Sequence, residues 1–363
     1  TKLPLSLTLS QAAAAATTGD LAAAAAAGLP PSPTLSESSV ASEEEEDVTS
    51  GPSCGVSPVF GPAPFGEAAV LFDEDRAAVV GDRDEFGGGF GETWHEKTMR
   101  TRRASRYGSL PNWRLIPVIV KADDDLRQEQ LAVQLVGLFE KIFRRAKLPL
   151  WLRPYRILAT SSTCGLIEAV PDTVSLHTLK KTSENDLAAY MCSRFGPDPM
   201  HLEHAQYNFL HSLAAYSIVT YLLNIKDRHN GNILLDSEGH LLHIDFGYML
   251  SNSPGGVGFE KAPFKLTHDM VQTLGGPHGP LFQRFIELVS SGMIEARKYR
   301  DSVLTLVDMA YHAAPDLGCF VAGRARVLED LRGRFWPDAN AKEVAARSHK
   351  MVYESYNNFF TRQ

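Results

Sequence analysis

The stretch Leu222–Leu250 reads L-L-N-I-K-D-R-H-N-G-N-I-L-L-D-S-E-G-H-L-L-H-I-D-F-G-Y-M-L. Two polar clusters, Asp227-Arg228-His229-Asn230-Gly231-Asn232 and His243-Ile244-Asp245-Phe246-Gly247, flank a short hairpin pattern. Ile233, Leu234 and Leu235 form an apolar run suited to a short buried strand. Asp236 to Gly239 supplies turn residues, and Leu241 to Ile244 makes the return strand. A hairpin of this length brings Asn232 and Asp245 to one end. An amide oxygen and a carboxylate held together there form an oxygen-rich site suited to Mg²⁺ carrying phosphates. Asp227 or His229, a few residues upstream, then sits beside an incoming hydroxyl, as phosphoryl transfer requires. Taken singly, Asp-Phe-Gly and Asn-Gly are ordinary turns. Both clusters flanking one hairpin make a far more specific signal.

Upstream, Leu115 to Val120 has the branched apolar content of a buried strand and delivers Lys121 at its end. A cation there can be set against nucleotide phosphates. Asp123-Asp124-Asp125 turns the chain, and a helix runs from Leu126 to Phe143 with an apolar side and Glu129 in its first turns. Arg156 to Thr160 and Gly165 to Val170 read as two more strands, the second running into Pro171. Strands before about residue 170 and helices after 175 are segregated rather than alternating, which predicts an α+β fold of two lobes with an antiparallel sheet. The nucleotide cleft then lies at the Val170-Pro171 join.

Beyond the join, helices are predicted from Glu184 to Cys192 and from Met200 to Asn224, the latter leading into the polar clusters. His201 and His204 have no cysteine or third histidine at zinc-ligand spacing. His243 reads as a supporting residue rather than a catalytic one. The loop from Gly247 to Leu266 carries Gly and Pro for movement and Lys261 and Lys265 for contact with an anionic headgroup. Helical patterns continue over 291–312, 324–333 and Ala341 to Phe360.

The opening of the chain is different. Residues 1–60 combine alanine runs, Ser, Pro and the acidic run Glu43 to Asp47, a composition that packs little core. Val70 to Phe72 reads as the start of an edge strand, and Gly87 to Gly91 as a linker rather than a phosphate cradle. Residues 61–170 and 171–363 are then the two lobes. The formal net charge of −7 gives no nucleic-acid footprint. Four cysteines without a C-x-x-C pair read as reduced thiols. No apolar run reaches a membrane span, and the alanine-rich start lacks the basic leader of a secretory signal.

The two polar clusters resemble the catalytic and metal-binding loops of the phosphatidylinositol 3- and 4-kinase superfamily. Phe246 to Leu250 and the run Tyr107-Gly108-Ser109-Leu110-Pro111-Asn112-Trp113 narrow the resemblance to its beta-type 4-kinases. The resemblance covers residues 89–363. It implies a two-lobed, protein-kinase-like domain that uses ATP with Mg²⁺, or Mn²⁺ in its place. By that likeness Lys121 contacts the phosphates, and Glu129 organises the pocket. The backbone of Glu168-Ala169-Val170 pairs with adenine, and Tyr155, Leu234 and Ile244 line the site. Asn232 and Asp245 hold the metal, while Asp227 and His229 share the hydroxyl chemistry; a pKa near the operating pH mildly favours His229 as base. Asp123 departs from the glycine common in the family. The implied reaction is phosphorylation of the 4-hydroxyl of phosphatidylinositol by a monomeric cytoplasmic enzyme, recruited to Golgi or endosomal membranes by a small GTPase or adaptor. A protein serine/threonine kinase of the same superfamily and a catalytically silent scaffold are the competing readings. Intact Lys121, Asn232 and Asp245 argue against the scaffold.

Overall fold

The computed structural model describes residues 91–182, 186–255 and 261–358. The expectations for residues 1–60, for Val70–Phe72 and for Gly87–Phe90 lie outside the described residues.

The first described helix, α1 (Trp94–Ala104), opens with a capping box in which Thr93 and Glu96 satisfy each other's backbone N–H groups. After it comes a three-stranded antiparallel sheet of β1 (Val118–Ala122), β2 (Ile157–Ala159) and β3 (Cys164–Glu168), ordered β1-β3-β2. The register pairs Lys121 with Gly165 and Val118 with Glu168. Lys121 therefore lies within a strand that starts three residues later than expected. That strand is exposed along its length, not buried. It is an edge, and its branched residues specify an extended backbone without guaranteeing cover.

Helix α2 (Arg127–Arg145) buries Leu131, Leu135, Phe139, Ile142 and Phe143, spaced three and four apart, and packs on β2. The chain then crosses Val170-Pro171 into a second small sheet, β4 (Thr173–Ser175), β5 (Ile233–Asp236) and β6 (Leu241–His243), ordered β4-β5-β6. The hairpin was legible in the sequence. Its third strand was not, because Thr173-Val174-Ser175 is too short to show a period.

Helices α3 (Leu176–Thr182) and α4 (Leu187–Phe195) follow. Asp186 caps the second by accepting from the Ala189 N–H at 3.0 Å, which starts it later than the expected Glu184. Helix α5 (Pro199–Leu222) has Asp198 as cap and Pro199 in its first turn. Phe209, Leu210, Leu213, Tyr216, Ile218 and Leu222 are each 1% exposed or less, so this helix is the core axis. It contacts β6 and the long helix α7 (Pro280–Lys298), which also packs on α2. Short α6 (His268–Thr273) precedes α7; α8 (Arg300–Ala313), α9 (Arg324–Arg334) and α10 (Ala341–Tyr356) complete the described chain. The helical run expected over 291–312 is broken at Tyr299, which leaves helical geometry for one residue between α7 and α8. The last helix stops at Tyr356 rather than Phe360. An antiparallel-sheet lobe joined to a mostly helical one is the expected α+β arrangement. Among the described residues, no helix is long and apolar enough to cross a membrane.

Candidate active site

A cleft of about 610 Å³ opens at the join between the lobes. Its lining includes Ile119 and Lys121 from β1, Glu129 from α2, Tyr155, Glu168–Val170, Asn232, Leu234, Ile244 and Asp245. Apart from Ile119, which the sequence did not single out, these are the expected nucleotide- and metal-binding residues, gathered around one cavity.

The hairpin sets the polar end. The Ile244 N–H donates to the Asn232 carbonyl at 3.1 Å, fixing the two polar clusters side by side. Asn232 Nδ2 donates to the Asp227 carbonyl at 3.0 Å, which leaves Oδ1 as the end available to a cation. Asp245 is exposed, with a left-handed φ of 58°. Two hard oxygen donors suit a Mg²⁺ ion that keeps waters and phosphate oxygens as its other ligands. Among the described residues there is no group of three or more His, Cys, Asp or Glu side chains arranged for a metal.

Three side chains hold the backbone behind Asp245. Arg228, only 2% exposed, donates to the carbonyls of Lys226 (3.0 Å), Ile244 (2.8 Å) and Asp245, and its guanidinium lies over the Phe246 ring. Glu129 Oε1 accepts the Phe246 N–H at 3.0 Å. Gln128 Nε2 donates to the carbonyls of Phe246 (3.1 Å) and Gly247 (2.6 Å). Burial raises the Glu129 carboxyl above its ordinary range despite the Phe246 N–H, and Asp245 and Asp124 push the same way against Lys121. The ammonium of Lys121 pairs with Asp124 at 3.2 Å, while Glu129 is committed to the Phe246 backbone. Burial likewise raises the Tyr155 phenol; its ring stacks against Phe246 at 6.2 Å between centroids.

Asp227 and His229, expected to share the hydroxyl chemistry, are not among the residues that line the cleft; Asp227 has a left-handed φ of 61°. His229 accepts the Gly231 N–H at Nδ1, 3.0 Å away. A Cβ at Gly231 would come within 2.8 Å of the imidazole, so this approach requires glycine. A neutral imidazole with Nδ1 occupied as an acceptor carries its proton on Nε2. His243, by contrast, is buried behind the hairpin against Tyr216, and burial drives its pKa well below the usual range, with Arg228 and Lys265 adding to it.

At the apolar end, the Glu168 N–H donates to the Arg156 carbonyl at 2.8 Å and the Ala169 N–H to the Pro117 carbonyl at 3.1 Å. The Arg156 N–H goes not to the Glu168 carbonyl but to its carboxylate, at 2.9 Å. No described residue takes the Val170 N–H. The strand leaves the sheet with an acceptor and a donor two residues apart.

The sequence profile described as phosphatidylinositol 3- and 4-kinase matches residues 115–315, more than half of the 363. The chain belongs to the phosphatidylinositol 3- and 4-kinase family. It is 48% identical over 287 residues to the phosphatidylinositol 4-kinase of Dictyostelium discoideum, covering 78% of this chain and 24% of that one. It is 44% identical over 279 residues to phosphatidylinositol 4-kinase beta 1 of Arabidopsis thaliana (75% and 25%). It is 42% identical over 272 residues to phosphatidylinositol 4-kinase beta of Rattus norvegicus (75% and 33%). The chain therefore spans a quarter to a third of the length of these relatives.

The family match ends at Pro315, yet the cleft also uses Asp316, Leu317 and Gly318. That wall was missed in the sequence. So was Arg127, whose guanidinium bridges Asp125 at 2.6 Å and Asp316 at 2.9 Å. Arg127-Gln128 precedes Glu129 in a motif read for its lysine and carboxylate alone. In this member of the phosphatidylinositol 3- and 4-kinase family, Lys261 and Lys265 are not among the residues that line the cleft. Lys261 is exposed, and between them Phe264 is buried beside Phe285, with its N–H 3.4 Å from Ser355 Oγ. Residues 256–260 of that loop lie outside the described residues. Asp123, the departure from the family's glycine, takes a φ of 58°, a conformation that glycine adopts without strain.

Proposed function

We propose that this chain is the catalytic domain of an ATP-dependent phosphatidylinositol 4-kinase. One observation carries the reading: Asn232 and Asp245 stand together at the end of one hairpin, in the same cleft as Lys121 and the Glu168–Val170 strand end. Adenine fits between the Glu168 carbonyl and the Val170 N–H, with Ile119, Tyr155, Leu234 and Ile244 as apolar and aromatic walls. Lys121 leaves Asp124 for the phosphates, an exchange of one exposed ion pair for another with little net loss. Asn232 Oδ1 and the Asp245 carboxylate hold Mg²⁺. Held there, the ion would supply charge neutralisation for the phosphoryl oxygens.

The hydrogen bond into His229 Nδ1 supports a division of the hydroxyl chemistry. Asp227 orients the attacking hydroxyl and takes its proton. His229 donates from Nε2–H toward the transferring group. This reverses the mild sequence-based preference for His229 as base. The substrate is phosphatidylinositol. Each added ring phosphate brings roughly −1.5 to −2 charge at neutral pH. Such headgroups need converging cations, arginine above all. Between Tyr248 and Leu266 the sequence offers Lys261 and Lys265, with Glu260 beside them and no arginine. The choice of the 4-hydroxyl rests on the names of the relatives. Recruitment as a monomer to Golgi or endosomal membranes by a small GTPase or adaptor rests on the family resemblance.

The test is incubation with labelled ATP, Mg²⁺ and separate vesicles of each inositide, with a protein substrate alongside and Asp245→Asn as background. The expected product is the 4-phosphate from phosphatidylinositol, lost in the variant. A 3-phosphate would overturn the regiochemistry. Label confined to the protein substrate would replace the lipid-kinase reading with a protein-kinase one.

A further inference from the structure

Gln128 is 7% exposed, and its amide joins three other segments. Its Nε2 donates to Phe246 O and Gly247 O, and its Oε1 accepts the Cys319 N–H at 2.8 Å, with Asn252 Nδ2 at 3.5 Å. A glutamine amide has two N–H donors and two acceptor lone pairs, and here each faces a group of the opposite kind. The orientation is therefore fixed: a flipped amide would set oxygen against two carbonyls and N–H against N–H. Asn252 adds a second tie, donating to Gly247 O at 3.1 Å and accepting the Met249 N–H at 2.8 Å.

We infer that Gln128 is a positioning residue for the metal-binding loop, tying the Phe246–Gly247 peptides that follow Asp245, together with the Cys319 segment, to helix α2 of the other lobe. This rests on the reading of Asp245 as a metal ligand. Glu129 and Gln128 divide the work: the carboxylate takes the Phe246 N–H and the amide takes the two carbonyls. Removing either loosens one side of the same loop, whose other side Arg228 holds. The Asp245 carboxylate then samples positions away from Asn232, and metal affinity falls before nucleotide affinity does. Groups that orient a ligand from behind typically contribute about 10- to 100-fold in metal affinity.

Gln128→Glu tests this with almost no change of shape. The carboxylate still accepts from Cys319 but opposes both carbonyls. Gln130→Glu is the matched control: two residues along α2, Gln130 Oε1 accepts the Ala159 N–H at 2.9 Å, a bond that a carboxylate keeps. Three quantities are read: the Mg²⁺ concentration giving half-maximal ATP turnover, binding of a fluorescent ATP analogue without metal, and amide hydrogen exchange of a 244–250 peptide in metal-free protein. For Gln128→Glu the Mg²⁺ requirement rises at least tenfold. Metal-free nucleotide binding stays within twofold, and exchange accelerates in the 244–250 peptide but not in α5. Gln130→Glu changes none of these. An unchanged Mg²⁺ requirement with unchanged local exchange overturns the proposal. So does faster exchange spread evenly over the chain, which marks a merely structural role. If Gln128→Glu does not fold, Gln128→Met, which keeps the length and removes the polar atoms, is read in the same way. Turnover lacking in the unaltered protein would instead count against the kinase assignment, leaving the exchange result to judge Gln128.

Discussion

Arg127 Nη2 stands 2.9 Å from the Asp316 carboxylate, tying the first turn of α2 to the far wall of the cleft across 189 residues of sequence. Asp125 accepts from Nε and the same Nη2 of that guanidinium, and the pKa of both carboxyls is lowered by it. The ion pair is largely solvated, so its weight in stability is small. Its effect falls on how far the two walls separate. Asp316→Asn is expected to leave the melting temperature nearly unchanged and to speed dissociation of bound nucleotide. Stopped-flow displacement of a fluorescent ATP analogue checks it; an unaltered off-rate would reduce the bridge to surface decoration.

The assignment of Asp227 and His229 separates two substitutions. Glutamine carries an N–H near the place of the histidine Nε2–H, so His229→Gln should keep turnover within about tenfold. Asp227→Asn, which removes the proton acceptor, should lose about a hundred- to ten-thousandfold. Single-turnover rates measure both. Equal, large losses in the two variants would restore His229 as the base.

Asp123 occupies a left-handed conformation in an exposed turn. Asp123→Gly removes the steric penalty at the expense of a more flexible unfolded chain. The net is expected to favour the folded state by about 0.5 kcal/mol. A urea midpoint that moves downward would show that the aspartate side chain stabilises the turn.

His211 gives the pH dependence. Burial, then Arg284, His240 and His204, lower its pKa to about 4 in the folded protein. In the unfolded chain it titrates near 6.5. Between these values the unfolded state binds the extra proton. The contribution to stability is therefore whole above about pH 6.5 and is lost as pH falls toward 4. Denaturation midpoints followed from pH 7.5 to 4 should decline less steeply in His211→Asn than in the unaltered chain. Parallel curves would sink the assignment.

The polar end of the candidate site was legible because it is local: twelve residues separate Asn232 from Asp245, and the hairpin between them sets the two side by side. Lys121 and Glu129 were legible for the same reason. What bound them to the rest was not. Gln128 meets Cys319, and Arg127 meets Asp316, over separations at which residue spacing carries no geometric information. β4 escaped notice because three residues display no period. The exposure of β1 escaped because valine and isoleucine report backbone preference more reliably than burial. Single side chains moved boundaries: Asp186 set the start of α4, and Tyr299 divided what had read as one helix.

The carboxylate of Glu168 occupies the Arg156 N–H that its own carbonyl would otherwise claim. It is a decoy: the sheet is offered a substitute acceptor and stops growing one rung short. Were the decoy removed, the strand and a nucleotide bound as proposed would compete for the same oxygen, and the strand, being covalently tethered, would hold the advantage of proximity. Adenine affinity would then fall through a side chain that need never touch the base. Resistance to a nucleotide-mimicking inhibitor could arise by the same route, through zippering of the sheet rather than any change in the shape of the cavity.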